Sequence, residues 1–245
     1  MPESARKEII KALKVQKEIF GDELFTSRLF DSKMETEKIS TKKVDEEPLL
    51  FTERKEKWED AGSLDNLNRL ICNCTNCNLH KGRNKFVFGV GNPNAEVMLI
   101  GEGPGAEEDK QGEPFVGRAG QLLNDILKAI NFTRQEVYIA NVVKCRPPAN
   151  RTPFPEEMET CMPYLAKQVE LIKPKLILCL GLTAASGLLK KKETLGKLRG
   201  KIFEFNGIKV MVTYHPAALL RNPNFKRDCW EDVQQFRKLY EESPP

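Results

Sequence analysis

The stretch Glu96-Val-Met-Leu-Ile100 runs directly into Gly101-Glu-Gly-Pro-Gly105, an apolar run followed by a glycine-rich turn. A short apolar run bounded by turn residues is typical of a strand that is buried on both faces. Three similar runs follow: Val137–Val143, Leu176–Leu180 and Lys209–Thr213. Helical patterns cover residues 118–130, 155–172, 182–190 and 223–242. This alternation predicts an α/β fold, a three-layer α/β/α sandwich with a mostly parallel four-stranded central sheet.

Two shorter signals complete the predicted architecture. Ser63 is placed to cap a helix whose apolar positions are Leu64, Leu67 and Leu70. Residues 201–210 have the pattern of a hairpin that turns at Asn206-Gly207.

The composition is that of a globular chain without a membrane segment. Of the 245 residues 40% are hydrophobic, enough for one core and a small accessory piece. No apolar run reaches the roughly 18 residues that a spanning helix needs. The charged N-terminus, Met1–Lys14, does not resemble a secretion signal, so we expect a cytoplasmic protein.

The first 61 residues differ from the rest. Residues 3–20 have apolar positions at helical spacing, and residues 31–60 are densely charged, which predicts a helix and a partly disordered extension. We therefore predict an extension over 1–61 and a catalytic domain over 62–245. The extension has 13 basic and 15 acidic residues, whereas the remainder has 26 basic and 20 acidic ones. A basic surplus suits nucleic acid, although an ordinary soluble surface explains it equally well.

Four of the seven cysteines have the spacing of metal ligands. Cys74 and Cys77 form a Cys-x2-Cys pair, and Cys145 and Cys161 follow far downstream. Four thiolates complete a zinc site or an iron–sulfur site, and residue type alone does not separate the two. We expect the other three not to bind metal: Cys72, Cys179 and Cys229.

Ligands of open α/β sheets bind at the carboxyl ends of the strands. The loops to examine are therefore 101–117, 141–153, 181–183 and 213–221. The first of them matches neither a Walker A loop nor a dinucleotide fingerprint, so nucleotide-cofactor binding is not favoured.

Unusual side chains lie in these loops, and each has a structural alternative. Glu108 and its acidic neighbours suit the stabilisation of a cationic sugar, or they are simply solvated. Phe115 is either a stacking platform for a base or an anchor in the core. Asn141 matches the polar edge of a base, or it ends its strand for structural reasons.

The loop after the fourth strand contains His215, one of two histidines in the chain. A histidine between a strand and a proline turn can donate a hydrogen bond to a developing oxyanion. The following residues could form an exposed wedge that enters a duplex, or they are core residues: Leu219, Leu220 and Arg221. We expect the other histidine, His80, to be structural.

These motifs, in this order, resemble the family 4 uracil-DNA glycosylases, the thermostable iron–sulfur type of bacteria and archaea. The resemblance runs from Cys74 to Asn224 and leaves residues 1–61 outside. It is carried by Cys74-Thr-Asn-Cys77-Asn-Leu79, Phe88-Gly-Val-Gly-Asn-Pro93, Gly101-Glu-Gly-Pro-Gly105, Pro114-Phe-Val-Gly-Arg-Ala-Gly-Gln-Leu-Leu123, Asn141-Val-Val-Lys-Cys-Arg-Pro147 and His215-Pro-Ala217.

The resemblance implies roles for individual residues. Phe115 is expected to stack on a flipped uracil, Asn141 to contact its polar edge, and His215 to donate to its O2. Glu102 and Gly103 are expected beside the scissile bond, where classical members of the superfamily have an aspartate. The water-activating group therefore stays open between Glu102, Glu108 and backbone groups. The implied ligands of a structural [4Fe–4S] cluster are Cys74, Cys77, Cys145 and Cys161.

The implied activity is monofunctional hydrolysis of the N-glycosidic bond of deoxyuridine in DNA, which leaves an abasic site for base excision repair. The expected partner is uracil-containing DNA, bound by a monomer, and residues 1–61 are a candidate site for a replication or repair partner. Two other classes stay open: an electron-transfer iron–sulfur protein and a zinc-stabilised nucleic-acid-binding module. The first does not explain Asn141 or His215.

Overall fold

Four parallel strands form the centre of the sheet in the computed structural model, which describes residues 57–243. The strands are β1 (Val90–Gly91), β2 (Val97–Gly101), β3 (Tyr138–Asn141), β4 (Leu176–Leu180), β5 (Ile202–Phe205) and β6 (Ile208–Thr213). Their order is β1-β3-β2-β4-β6-β5, in which β1 and β5 are antiparallel to their neighbours. The predicted parallel core of four strands is confirmed, and the sheet has six strands rather than four.

The two additional strands lie at the edges of the sheet. Strand β5 is the first arm of the predicted hairpin, and its turn residues Asn206 and Gly207 have φ of 50° and 80°, as a two-residue hairpin turn requires. Strand β1 was not predicted, because two residues that include a glycine show no periodicity. Gly91 has φ of 130°, and a Cβ there would overlap the carbonyl oxygen of Val137 on the neighbouring strand.

The helices cover both faces of the sheet. They are α1 (Leu64–Ile71), α2 (Ala106–Gln111), α3 (Arg118–Ala129), α4 (Pro155–Ile172), α5 (Leu182–Leu189), α6 (Leu195–Leu198), α7 (Pro216–Arg221) and α8 (Phe225–Glu241). Ser63 caps α1 as predicted, since its side chain accepts a hydrogen bond from the Asn66 amide. The helices α2, α6 and α7 were not predicted, because one or two turns are too short for an apolar periodicity to show.

Residues of β2 alternate between two cores, which accounts for the three layers. Met98 and Ile100 pack with α1, α4 and α5 on one face. Val97 and Leu99 pack with α3 and α8 on the other. The strand is buried throughout, so its sequence is an unbroken apolar run.

The packing extends slightly beyond the predicted domain boundary. Trp58 lies edge-on to Tyr164 of α4, with ring centroids 5.0 Å apart, and Ala61 is buried in the core. The predicted helix at 3–20 and all but the last four residues of the charged segment at 31–60 lie outside the described residues, so the division at residue 61 stays a prediction. Over the portion of the chain that is described, no helix is both long and apolar enough to span a membrane.

Candidate active site

The loops that follow β2, β3 and β6 meet at a cleft of about 400 Å³. All of the catalytic and base-contacting residues predicted from the sequence line it: Glu102, Gly103, Glu108, Phe115, Asn141 and His215. The carboxyl ends of parallel strands meet at one edge of the sheet, which explains why residues distant in sequence converge here. Their roles stay predictions at this point.

Asn141 ends β3 and is only 2% exposed. Among the described residues, its Oδ1 is the one buried side-chain nitrogen or oxygen without a hydrogen-bond partner. Gly101 makes room for it, since a Cβ on Gly101 would collide with Asn141 Oδ1 and lie 2.7 Å from the Phe115 ring. A buried acceptor without a partner costs free energy, and such a group is typical of a site whose ligand supplies the donor.

Phe115 forms a wall of the cleft from a strained backbone position. Its φ is 54°, in the left-handed region, which a bulky residue rarely adopts. The Arg134 side chain donates to the preceding carbonyl of Pro114 at 2.5 Å, and Gly120 of α3 lies directly against the Phe115 carbonyl. The ring stacks on His215 with centroids 5.4 Å apart and an interplanar angle of 29°. These contacts hold an aromatic ring in the cleft.

The Glu108 carboxylate joins the start of α2 to the loop that contains Phe115. Its Oε2 accepts from the Gly105 amide at 3.1 Å, and its Oε1 accepts from the amides of Val116 and Gly117 at 3.0 Å each. Three backbone donors therefore occupy this carboxylate. Its predicted part in orienting water stays a prediction, but its contacts are those of a loop brace.

Replacement of Glu108 by alanine is expected to lower the free energy of unfolding by about 1–3 kcal/mol, because three partly buried amides lose their acceptor. Urea denaturation followed by circular dichroism measures the change. Glu107→Ala is the matched control, since Glu107 is exposed and its carboxylate, within residues 57–243, is engaged only in a surface ion pair with Lys110. Equal losses in the two variants would contradict the bracing role.

His215 has a defined tautomer at the start of α7. Its Nδ1 accepts a hydrogen bond from the Ala217 amide at 3.1 Å, so in the neutral ring the proton lies on Nε2. Burial and, to a smaller extent, the positive charge of Arg221 together lower the pKa of His215 to about 4, while Glu108 opposes them. The imidazole is therefore a neutral hydrogen-bond donor at physiological pH.

The predicted wedge is wrong for Leu219. This residue is 2% exposed and packs in the core formed with α3 and α8. Leu220 is 41% exposed, and Arg221 is exposed and lines the cleft. Successive residues on a short helix point in different directions, so only one of two adjacent leucines can face the core. Their contact with DNA stays a prediction.

The four predicted cysteine ligands lie in one region. Cys145 and Cys161 are buried in the core beside α1, α4 and α5, and Cys74 and Cys77 pack against the same core. Cys74 and Cys77 precede β1, whereas Cys145 follows β3 and Cys161 lies in α4. No three His, Cys, Asp or Glu side chains of the described residues are grouped so as to hold a single metal ion.

Arg83 binds this region together. Its Nη1 donates to the Cys145 sulfur at 3.1 Å and to the Cys74 carbonyl at 2.7 Å. Burial raises the pKa of Cys145, the Arg83 guanidinium opposes this, and the nearby Cys77 and Cys74 add a smaller increase. An N–H donor beside the Cys145 sulfur fits a group that carries thiolate charge.

Lys144 was missed by sequence reasoning, although a lysine directly after an apolar run and before a candidate metal ligand was a visible signal. It is completely buried, and its Nζ donates to the Asn141 carbonyl at 2.9 Å and to Gln168 Oε1 at 2.5 Å. Burial lowers the pKa of Lys144 to about 8. Lys144 lies between Asn141, which lines the cleft, and Cys145. The segment 141–145 therefore belongs both to the cleft and to the cysteine region.

Comparisons with known proteins agree with this geometry. Residues 88–234 match the family described as the uracil DNA glycosylase superfamily. The chain is similar to three relatives, each named a Type-4 uracil-DNA glycosylase. One from Archaeoglobus fulgidus is 43% identical over 191 residues, which is 75% of this chain and 96% of the relative. One from Pyrobaculum aerophilum is 46% identical over 181 residues, 71% and 92%. One from Thermotoga maritima is 46% identical over 170 residues, 68% and 88%.

The matched residues include the strands and loops that build the cleft, from β2 to the first half of α8. The order of motifs, the parallel sheet and the relatives agree with one another. The chain belongs to the uracil DNA glycosylase superfamily, within its type-4 family.

Proposed function

We propose that this protein hydrolyses the N-glycosidic bond of deoxyuridine in DNA, which releases uracil and leaves an abasic site. The observation that carries the proposal is the unpartnered Oδ1 of Asn141, buried in a cleft beside Phe115 and His215. The similarity to three proteins named Type-4 uracil-DNA glycosylases supports it.

Uracil presents a polar edge that complements a carboxamide. Asn141 Oδ1 accepts from uracil N3–H, while its Nδ2 donates to O4, so one side chain satisfies both groups. The Phe115 ring provides an apolar face for the base. A base can reach this depth only after extrusion from the stack, so the DNA backbone contacts the mouth of the cleft.

His215 stabilises the leaving group. The C1′–N1 bond breaks with its electron pair on uracil, and the negative charge spreads onto O2. The neutral imidazole donates its Nε2–H to that oxygen, and a preorganised donor of this kind lowers the barrier. Water adds to C1′ of the cationic sugar and releases a proton, which completes the hydrolysis.

Glu102 is better placed than Glu108 to orient this water. Its side chain is half-buried at the cleft, and within the described chain no hydrogen bond or ion pair engages its carboxylate. Three backbone amides occupy Glu108 instead. We therefore assign the positioning of water, and the stabilisation of the cationic sugar, to Glu102.

The direct test uses a labelled oligonucleotide with a single uracil, which is treated with alkali after incubation. We expect cleavage at the uracil, and none in a matched oligonucleotide with thymine at that position. An intact uracil strand under conditions in which a control glycosylase cleaves it would overturn the proposal.

We propose that Cys74, Cys77, Cys145 and Cys161 hold a [4Fe–4S] cluster. Their shared core and the Arg83 donor support a four-thiolate group, and clusters of this type are held by four cysteines. Such a group would join the Cys74–Cys77 turn to the segments after β3 and within α4. We infer no part for it in the reaction.

The cluster hypothesis predicts that Cys161→Ser lowers the unfolding free energy by about 4 kcal/mol or more, because a bound group then no longer stabilises the folded state. The visible absorbance and the content of iron and acid-labile sulfide should fall together. Cys179→Ser is the matched control, a buried cysteine in β4 outside the proposed ligand set. Stoichiometric zinc without iron in the wild type would show that the site holds zinc instead.

A further inference from the structure

The loop between β3 and α4 forms a fixed part of the cleft rim. Ala149 and Asn150 both have left-handed φ, at 52° and 55°. The Arg146 Nε donates to Asn150 Oδ1 at 2.8 Å, and the Asn150 amide donates to the Pro147 carbonyl at 3.1 Å. Consecutive left-handed residues other than glycine persist only where surrounding contacts impose them, and such backbone concentrates at functional sites. The rim residues Asn150, Arg151 and Thr152 line the cleft.

Phe154 lies beside this rim and is 50% exposed. The Arg151 guanidinium lies 3.8 Å from the centre of its ring. Arg151 in turn makes two hydrogen bonds to the Glu157 carboxylate, at 2.7 and 2.8 Å, and the Phe154 amide donates to the same carboxylate at 2.7 Å. One buried carboxylate therefore holds both the ring's backbone and the cation stacked on the ring.

These contacts leave Arg151 little capacity to bind phosphate. Its charge is paired with Glu157, and its Nη1 also donates to the Thr152 carbonyl at 3.0 Å. The paired Arg151 therefore serves mainly to hold the exposed ring of Phe154. A rigid, exposed ring at the mouth of a nucleic-acid cleft has the properties of a stacking platform for a base.

We propose that Phe154 stacks on the base of a nucleotide next to the extruded deoxyuridine, in an unpaired strand. This rests on the proposed function, since it requires deoxyuridine to occupy the cleft. Arg151 lines the cleft, and its guanidinium lies against the Phe154 ring. A strand that leaves the cleft on this side therefore passes Phe154. A base within an intact duplex has both faces covered by its neighbours, whereas an unpaired base offers a free face. The ring therefore favours single-stranded over duplex substrate.

The test measures DNA binding without turnover. Oligonucleotides carry a tetrahydrofuran abasic analogue in place of the uridine, with the fluorescent base 2-aminopurine on either its 5′ or its 3′ side. We expect wild-type protein to quench one of the two probes, and Phe154→Ala to weaken single-strand binding by about 5- to 150-fold and abolish the quenching. The loss with duplex DNA is expected to be much smaller.

Matched variants separate stacking from stability. Phe154→Trp should keep the affinity and the quenching, whereas Phe154→Leu, which keeps an apolar contact with Arg151, should lose both. Ile202→Ala is the control, because Ile202 is also 50% exposed but lies on the edge strand β5. Unchanged affinity of folded Phe154→Ala, or equal losses with single-stranded and duplex DNA, would overturn the proposal. The excision assay on wild-type protein tests the proposed function separately. Normal excision together with unchanged DNA binding by Phe154→Ala would overturn the stacking proposal alone.

Discussion

Replacement of Asn141 by alanine is expected to reduce kcat/KM for uracil excision by about a thousandfold, while the protein stays folded. The variant loses the acceptor for uracil N3–H and the donor for O4 together. In wild-type protein the unpartnered Oδ1 already bears its desolvation cost, so uracil gains a hydrogen bond without first displacing another partner. Single-turnover kinetics on a uracil oligonucleotide measure the effect, and product inhibition by free uracil should weaken in parallel.

The control for this variant is Asn68→Ala, an asparagine on α1 that does not line the cleft. We expect it to excise uracil at a rate within about twofold of the wild type, as surface substitutions away from a site usually have little effect. The affinity of Asn141→Ala for DNA with an abasic analogue should also be unchanged, because that ligand has no base. A normal rate in Asn141→Ala, or a loss of affinity for abasic DNA as large as the loss in rate, would contradict contact with the base.

Buried hydrogen bonds fix the backbone of Asn141 at the end of β3. The ammonium of Lys144 binds the Asn141 carbonyl and the side chain of Gln168. Gln168 continues to the Phe88 carbonyl at 3.0 Å and to the Tyr138 hydroxyl at 3.2 Å. The end of β3 is thus anchored from beneath by polar groups that have partners, which leaves the unpartnered Oδ1 of Asn141 available to a ligand.

Local sequence was sufficient where one short segment determines the structure. The strand Leu176–Leu180 and the helix Pro155–Ile172 have the predicted bounds, because an apolar run and a proline at a helix start carry their own signals. The convergence of Phe115, Asn141 and His215 followed from the rule that parallel strands end together.

The packing of side chains against one another determined what the sequence did not reveal. Leu219 and Leu220 are identical in type, and only the packing of α7 decides which one is buried. The partners of Lys144 lie on β3 and α4, and the stack of Arg151 on Phe154 depends on a carboxylate three residues further on. Contacts that depend on three side chains at once cannot be read from the residue types in the sequence.

His215→Ala is expected to lower kcat by about 100- to 1000-fold, with a much smaller change in KM, because the lost donor acts mainly on charge that develops in the transition state. His215→Gln, which retains an N–H donor, should recover part of the rate. Single-turnover rates at saturating enzyme measure both variants. His80→Ala is the matched control, since the His80 Nδ1 contacts the Cys77 carbonyl at 2.7 Å and the residue does not line the cleft.

The pH dependence distinguishes a neutral imidazole from a cationic one. Because burial lowers the pKa of His215 from 6.5 to about 4, the folded ring is neutral where an ordinary histidine titrates. The ratio of wild-type to His215→Ala rates should therefore stay constant between about pH 5.5 and about pH 8. The unfolded chain binds the proton more tightly, so the contribution of this group to stability is complete above pH 6.5 and is lost as the pH falls towards about 4. A rate ratio that rises as the pH falls through 6.5 would instead identify a protonated His215 as the catalytic form.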